Sequence, residues 1–184
     1  MGLLAPPDPA ILFPSGALND AERHFADQYA EIAREDMPLY LDSFGGSYRA
    51  ARRRLLAAAA ANGGNTVILS GDSHNAWAFN LRGSDGEIAA VEIGATSVTS
   101  PGFEDELPLP AEAAEHALIA KNPELSYCRL RARGYTVVTI SPDAVDVSWI
   151  FVDTVKTRNF SAAVGKRLHI PHTSRGGTAA LAEA

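Results

Sequence analysis

Thr66-Val67-Ile68-Leu69-Ser70-Gly71-Asp72-Ser73-His74 is the stretch on which the fold and the chemistry of this chain turn. Residues 66–70 form a short, almost continuously apolar run rich in β-branched side chains, which predicts a strand buried on both faces. Glycine, an acid and an imidazole follow at once. A buried strand that ends this way presents a carboxylate and an imidazole at a sheet edge, where ligand sites of α/β proteins collect. On extended backbone, residues two apart share a side, so Asp72 and His74 are expected to converge while Ser73 faces away, with Gly71 letting the backbone approach closely. A carboxylate oxygen beside a neutral imidazole nitrogen suits divalent or ferric ions of intermediate softness. The same triplet also arises as a loop cap with an incidental histidine. Two ligands are also too few, because catalytic zinc takes three from protein and oxygen-ligated ions take more.

Upstream, Asn19-Asp20 has the character of a helix N-cap, and Phe25, Tyr29 and Ile32 recur at helical spacing before Pro38. Residues 41–48 read as a Gly/Ser loop. Residues 49–61 read as a strong alanine-rich helix stopped by Asn62-Gly63-Gly64. Downstream, residues 77–81 and 87–93 flank a Gly/Asp turn and predict a β-hairpin. A polar, turn-rich loop over 95–103 then precedes a helix over 111–121, bounded by Pro110 and Pro123. Residues 125–130, 135–140 and 145–152 are strand candidates whose short links favour an antiparallel meander. Residues 161–184 carry glycines and alanines without a sustained period and are expected to form a weakly ordered tail.

The 184 residues suffice for one domain, and 46% hydrophobic with 21% charged residues is a globular composition. A net charge of −6 leaves little capacity to capture nucleic acid, which needs clustered Lys and Arg. The one basic run, Arg49 with Arg52-Arg53-Arg54, reads as the solvated face of a helix. No apolar run approaches the ~20 residues of a membrane span. The first residues lack the basic and apolar regions of a signal peptide, so localisation is left open. Cys128 is the only cysteine, which excludes an internal disulfide and a zinc-finger pattern.

The segment Gly71-Asp72-Ser73-His74-Asn75-Ala76-Trp77 resembles the GDxHxxW signature of the alkaline phosphatase D, or PhoD-like, phosphatases of the metallophosphoesterase group. Asp42 to Arg52 resembles the family's DxWxGYxxxR stretch, with Phe44 in place of Trp and Ser47 inserted before Tyr48. Glu92 and Thr96-Ser97-Val98-Thr99-Ser100-Pro101-Gly102 resemble its acidic strand and SSPG loop. Asn122-Pro123 and Arg133-Gly134-Tyr135 resemble its NP and RGY elements.

By motif order the resemblance runs from about residue 3 to residue 160. It implies an α/β fold: part of a metallophosphoesterase two-sheet sandwich with flanking helices and mixed or antiparallel strands. Residues 1–160 would be the C-terminal portion of that domain. The activity implied is hydrolysis of phosphate esters by metal-activated water at an iron and calcium centre, with Asp72 and His74 as metal ligands. Tyr48, Asn75, Trp77, Ser97, Thr99 and Ser100 would line the pocket or orient the ligands. The family's other ligands, including a cysteine, lie in an N-terminal half without counterpart here. The chain is therefore expected to be incomplete and nearly inactive alone, or to pair with a separately encoded N-terminal half. Family members are often exported. The alternative is a non-catalytic scaffold or binding domain derived from the same fold.

Other reactive residue types receive bland assignments. His24 and His116 fall in expected helices with charged neighbours, and His169 and His172 fall in the expected tail around Pro171. Cys128 is expected to be a small buried apolar residue, and Trp77, Trp149 and Phe151 to pack in sheets. Ser73 lacks the flanking glycines of a nucleophile elbow.

Overall fold

Alternation of large and small side chains along one strand sets the layers of this molecule. In the strand Ala76–Arg82, Trp77, Phe79 and Leu81 join one apolar cluster while Ala76 and Ala78 join another. Period-two geometry puts the bulky residues on one face and the alanines on the other. A computed structural model describes residues 49–102, 104, 110–173 and 180–183. The expected helix after Asp20, the loop over 41–48 and Tyr48 lie outside these residues.

The elements in chain order are α1 (Arg49–Ala61), β1 (Val67–Ser70), β2 (Ala76–Arg82), β3 (Ile88–Gly94), α2 (Ala111–Lys121), β4 (Leu125–Arg129), β5 (Arg133–Ile140), β6 (Ala144–Val152), β7 (Ala162–Pro171) and β8 (Ala182–Glu183). They form two four-stranded sheets, ordered β1-β3-β2-β4 and β5-β6-β7-β8. In the first sheet β1 runs parallel to β3 and the other pairs are antiparallel; the second sheet is wholly antiparallel. This is the α/β architecture of mixed and antiparallel sheets expected from the sequence. None of the described helices is long and apolar enough to cross a membrane.

The first sheet is covered on both sides. Leu56 and Ala59 of α1 and Ala111, Ala114 and Leu118 of α2 pack with Trp77, Phe79 and Leu81. On the opposite face Ala76, Ala78, Val91 and Ile93 meet Val147, Trp149, Leu168 and Ile170 of the second sheet. Trp149 is fully buried there, and its indole Nε1 donates to the Gly94 carbonyl at 3.0 Å. That bond satisfies the only polar atom of the ring and ties the sheets together beside the end of β3.

Three expectations change. Residues 125–130 do not start a three-strand meander: β4 pairs with β2 in the first sheet, and the chain crosses to the second sheet before β5. At the start of β5 a Cβ on Gly134 would lie 1.9 Å from the Ile150 carbonyl oxygen, so only glycine lets the strand approach β6 this closely. Second, β1 is not enclosed. Among the described residues it is an edge strand, with Leu69 59% exposed. Third, residues 162–171 are a ten-residue strand rather than weakly ordered tail, paired with β6 from Ala162 to Pro171 and burying Leu168 and Ile170. A register shift opposite Trp149 and Ile150, and Gly165 under the Phe151 ring, break the alternation that would announce this strand. His169 accordingly lies in a sheet, its Nδ1 2.7 Å from the Asp146 carboxylate on the neighbouring strand.

Cys128 is buried as expected, and burial, with Glu115 nearby, pushes its thiol above the ordinary range while Arg129 works weakly against this. A thiolate therefore forms only at higher pH than for a free cysteine. Iodoacetamide should leave the native chain unmodified at neutral pH and label Cys128 stoichiometrically in denaturant, as read by mass spectrometry; rapid native labelling would contradict this placement. Gly134→Ala should destabilise the fold by about 1–3 kcal/mol or more through overpacking against the β6 backbone. An unchanged urea midpoint would show that the close approach of β5 to β6 does not require glycine there.

Candidate metal centre

Beyond Ser70 the backbone leaves the sheet. The Ala95 amide donates to the Ser70 carbonyl at 2.8 Å, closing the β1–β3 pairing, and residues 71–74 then turn back on themselves with the His74 amide 3.4 Å from the Gly71 carbonyl. His74 has φ of +65°, the only non-glycine residue with positive φ among the described ones. Residues 72–74 are therefore not extended, and the two-residue alternation expected to bring Asp72 and His74 together does not operate. Gly71 is not a close-approach position either: a Cβ there would make ordinary contacts of 3.5 and 3.7 Å with Ala95. The turn itself demands the conformation at His74, at a cost of roughly 1–2 kcal/mol for an L residue.

Hydrogen bonds from the loop after β3 hold that conformation. The His74 carbonyl accepts from the Ser97 amide at 3.2 Å and lies 3.1 Å from the Thr96 hydroxyl, which is also 2.6 Å from the Ala132 carbonyl. The Gly134 amide donates to the Ser97 carbonyl at 3.0 Å, so the start of β5 braces the same loop. On the imidazole, Nδ1 lies 2.8 Å from the Pro101 carbonyl oxygen. A carbonyl only accepts, so Nδ1 carries the proton and the neutral ring keeps its lone pair on Nε2. This is the arrangement by which metal-binding histidines are oriented through their second nitrogen.

The structure distributes the other sequence candidates unevenly. Asp72 is exposed and His74 half-buried, both within the turn. Asn75 is fully buried, and its Nδ2 donates to Glu104 Oε2 at 2.8 Å and to the Leu130 carbonyl at 2.7 Å. Trp77 is likewise in the core, where its Nε1 donates to the Ser73 hydroxyl at 2.7 Å and supports the turn from beneath. Ser73 thus faces the Trp77 indole. Ser97 is half-buried with its hydroxyl bonded to the Ser100 carbonyl, whereas Thr99 and Ser100 are exposed. Tyr48 cannot be placed against them, because it lies outside the described residues.

Two charged residues with no role in the sequence reading lie underneath. Glu104 and Arg133 are both buried and form an ion pair. Arg133 also donates to the Leu130 carbonyl at 3.0 Å and the Ala132 carbonyl at 3.2 Å. Glu92, fully buried in β3, accepts from the Ser70 hydroxyl at 2.6 Å. Nothing in the periodicity marks Glu104, which stands in an acidic run that reads as a solvated loop. Among the described residues, no group of three or more His, Cys, Asp or Glu side chains comes together in a way that could hold a metal.

Comparison with known proteins bears on the fold and the family. A solved structure described as "Structure of PhoD" superposes with a TM-score of 0.55 at 21% identity, covering 72% of this chain and 27% of that one. That likeness concerns the fold, and the chain spans about a quarter of the length of the protein it matches. No curated protein gives a significant match. The family model described as PhoD-like phosphatase matches residues 20–149, well over half of the sequence and including the turn, the loop after β3 and the start of β5. This chain belongs to the PhoD-like phosphatase family.

Proposed function

We propose that the chain supplies part of the catalytic centre of a metal-dependent phosphoric ester hydrolase, with Asp72 and His74 as metal ligands and phosphate mono- or diesters as substrates. The observation that carries this reading is the Nδ1 proton of His74 committed to the Pro101 carbonyl, which leaves Nε2 as the ring's donor atom. The donor chemistry fits the family's metals: an exposed carboxylate oxygen suits calcium and a neutral imidazole suits iron. When bound, such an ion lowers the pKa of water and clamps phosphate oxygens. The chain's own share is to orient. Two hydrogen bonds, from the Ser97 amide to the carbonyl and from Nδ1 to the Pro101 carbonyl, hold His74, and the loop that makes them carries the exposed Thr99 and Ser100 as hydroxyl donors for a phosphate group.

Asp72 and His74 are too few for such a centre, so the reading assigns the remaining ligands to polypeptide outside these residues, either in one longer chain or as a separately encoded N-terminal half. Support comes from the 27% coverage of the solved PhoD chain and from the strand that leads into the turn. Among the described residues, β1 is apolar yet lies at a sheet edge with Leu69 exposed, a placement that leaves room for a further strand beside the ligands.

Two measurements test this. The purified 184-residue chain, given calcium and iron, should hydrolyse p-nitrophenyl phosphate and bis-p-nitrophenyl phosphate at close to the buffer rate. Full turnover that Asp72→Ala abolishes would refute the shared centre. In calorimetric titration with manganese, the wild type should bind weakly, and Asp72→Ala and His74→Ala should each bind at least ~10-fold more weakly, the loss that even outer partners of a metal site produce. Equal heats in all three, or none in the wild type, would remove the ligand role and leave a non-catalytic scaffold.

A further inference from the structure

The Pro101–Gly102 peptide has a second bond on its other side. Its carbonyl accepts from His74 Nδ1 at 2.8 Å, and its N–H points at Glu104 Oε1 at 3.4 Å, the long end of hydrogen-bond range. One amide plane therefore stands between a buried carboxylate and the imidazole. Glu104 also accepts from Asn75 Nδ2 through Oε2 at 2.8 Å, so the same carboxylate grips the residue that follows His74 in the chain. Arg133 pairs with Oε1 and holds the buried carboxylate in place. Space at the bridge is closed: a Cβ on Gly102 would fall 2.2 Å from Asn75 Nδ2 and 2.5 Å from Glu104 Oε2. Only glycine lets the peptide reach both partners.

We propose that Glu104 is a positioning residue for His74, acting through the Pro101–Gly102 peptide to hold the imidazole as its Nδ1–H tautomer. A carboxylate that accepts from an amide N–H increases the negative charge on the carbonyl oxygen of the same amide, and bonds in such a chain reinforce one another. The carbonyl then competes better for the Nδ1 proton, and Nε2 is left unprotonated. Asn75 supplies the steric half of the effect, since its two donated bonds fix the backbone immediately after the left-handed residue. The consequence for metal binding rests on the function proposed above; the tautomer itself does not.

Long-range proton–nitrogen NMR on the metal-free chain with 15N-labelled histidine reads this directly, at a pH where the imidazoles are neutral. Signals of His74 are identified by their loss in His74→Gln. In the wild type, Nδ1 of His74 should resonate as a protonated nitrogen and Nε2 as an unprotonated one, the reverse of the preference of free histidine. Glu104→Gln keeps the side chain's shape and removes its charge, and it should move the two nitrogen shifts towards each other as the tautomers mix. Leu168→Ala, which weakens the core away from the bridge, should leave them in place. If Glu104→Gln does not fold, Gly102→Ala, which leaves the ion-pair residues intact and displaces the bridging peptide, is read in the same way. An Nε2–H tautomer in the wild type, or unchanged His74 shifts in a folded Glu104→Gln or Gly102→Ala chain, overturns the proposal. Manganese titration of the same samples separates the two readings: no binding with Nδ1–H intact removes the metal role and leaves the positioning role standing.

Discussion

Burying a carboxylate and a guanidinium costs several kcal/mol per ion unless the geometry is closed and every remaining donor is used. In this chain Arg133 donates to Glu104 and to the Leu130 and Ala132 carbonyls, and these bonds join the parts of the fold that matter. Arg133 opens β5 and so belongs to the second sheet, Glu104 follows β3 and precedes α2, and Asn75 stands between the turn and β2. The Leu130 carbonyl, at the end of β4, accepts from both Asn75 and Arg133. A pair that anchored only one element could be replaced by apolar residues at little cost. This one sets the relation between two sheets, a loop and a turn.

The layers around the pair follow from side-chain size. Bulky Trp77, Phe79 and Leu81 fill the space under the helices, whereas Ala76 and Ala78 let the second sheet come close enough for Trp149 to reach the Gly94 carbonyl. Gly94 has no room for a side chain, since a Cβ would stand 2.8 Å from the Trp77 ring. The end of β3 is therefore clamped between two tryptophans, one from each side. The loop over 95–102 begins from that fixed point, which is why a segment rich in serine, threonine and glycine can deliver Pro101 to His74 at hydrogen-bonding distance.

How much of this could be seen in the amino acids depends on how local each signal is. Alanine content and a Gly-Gly stop mark α1, the Gly/Asp turn marks the β2–β3 hairpin, and the triplet after β1 marks the candidate ligands. These are contacts between residues close in sequence. Three features resist the same treatment because their causes are distant. β7 contains Ala162, Ala163 and Gly165, residues that look like a tail until the Phe151 ring and the β6 register supply their partners. β1 has the composition of an enclosed strand, and only the sheet order puts it at an edge. Glu104 looks in the sequence like any member of the acidic run Glu104-Asp105-Glu106, and what distinguishes it is an arginine 29 residues away. The sandwich and the turn are legible from periodicity and motif; the network that orients the turn arises from tertiary contacts with no periodic trace.

A turn built this way meets its costs on folding. Left-handed backbone at His74 is unfavourable by roughly 1–2 kcal/mol, and it persists because the surroundings over-determine it. The compensating bonds, donated by the Ser97 amide and accepted by the Pro101 carbonyl, are both made with one loop, and that loop is held by Glu104 and by the Gly134 amide. A ligand that reaches the imidazole therefore meets a ring whose orientation and proton are already set, and little rotamer freedom is left to lose on binding. Asp72 differs: it is exposed, in a turn, and keeps the freedom that His74 has given up. The two candidate ligands are thus unequal by construction, with the histidine fixed by the fold and the aspartate free to adjust to what binds beside it.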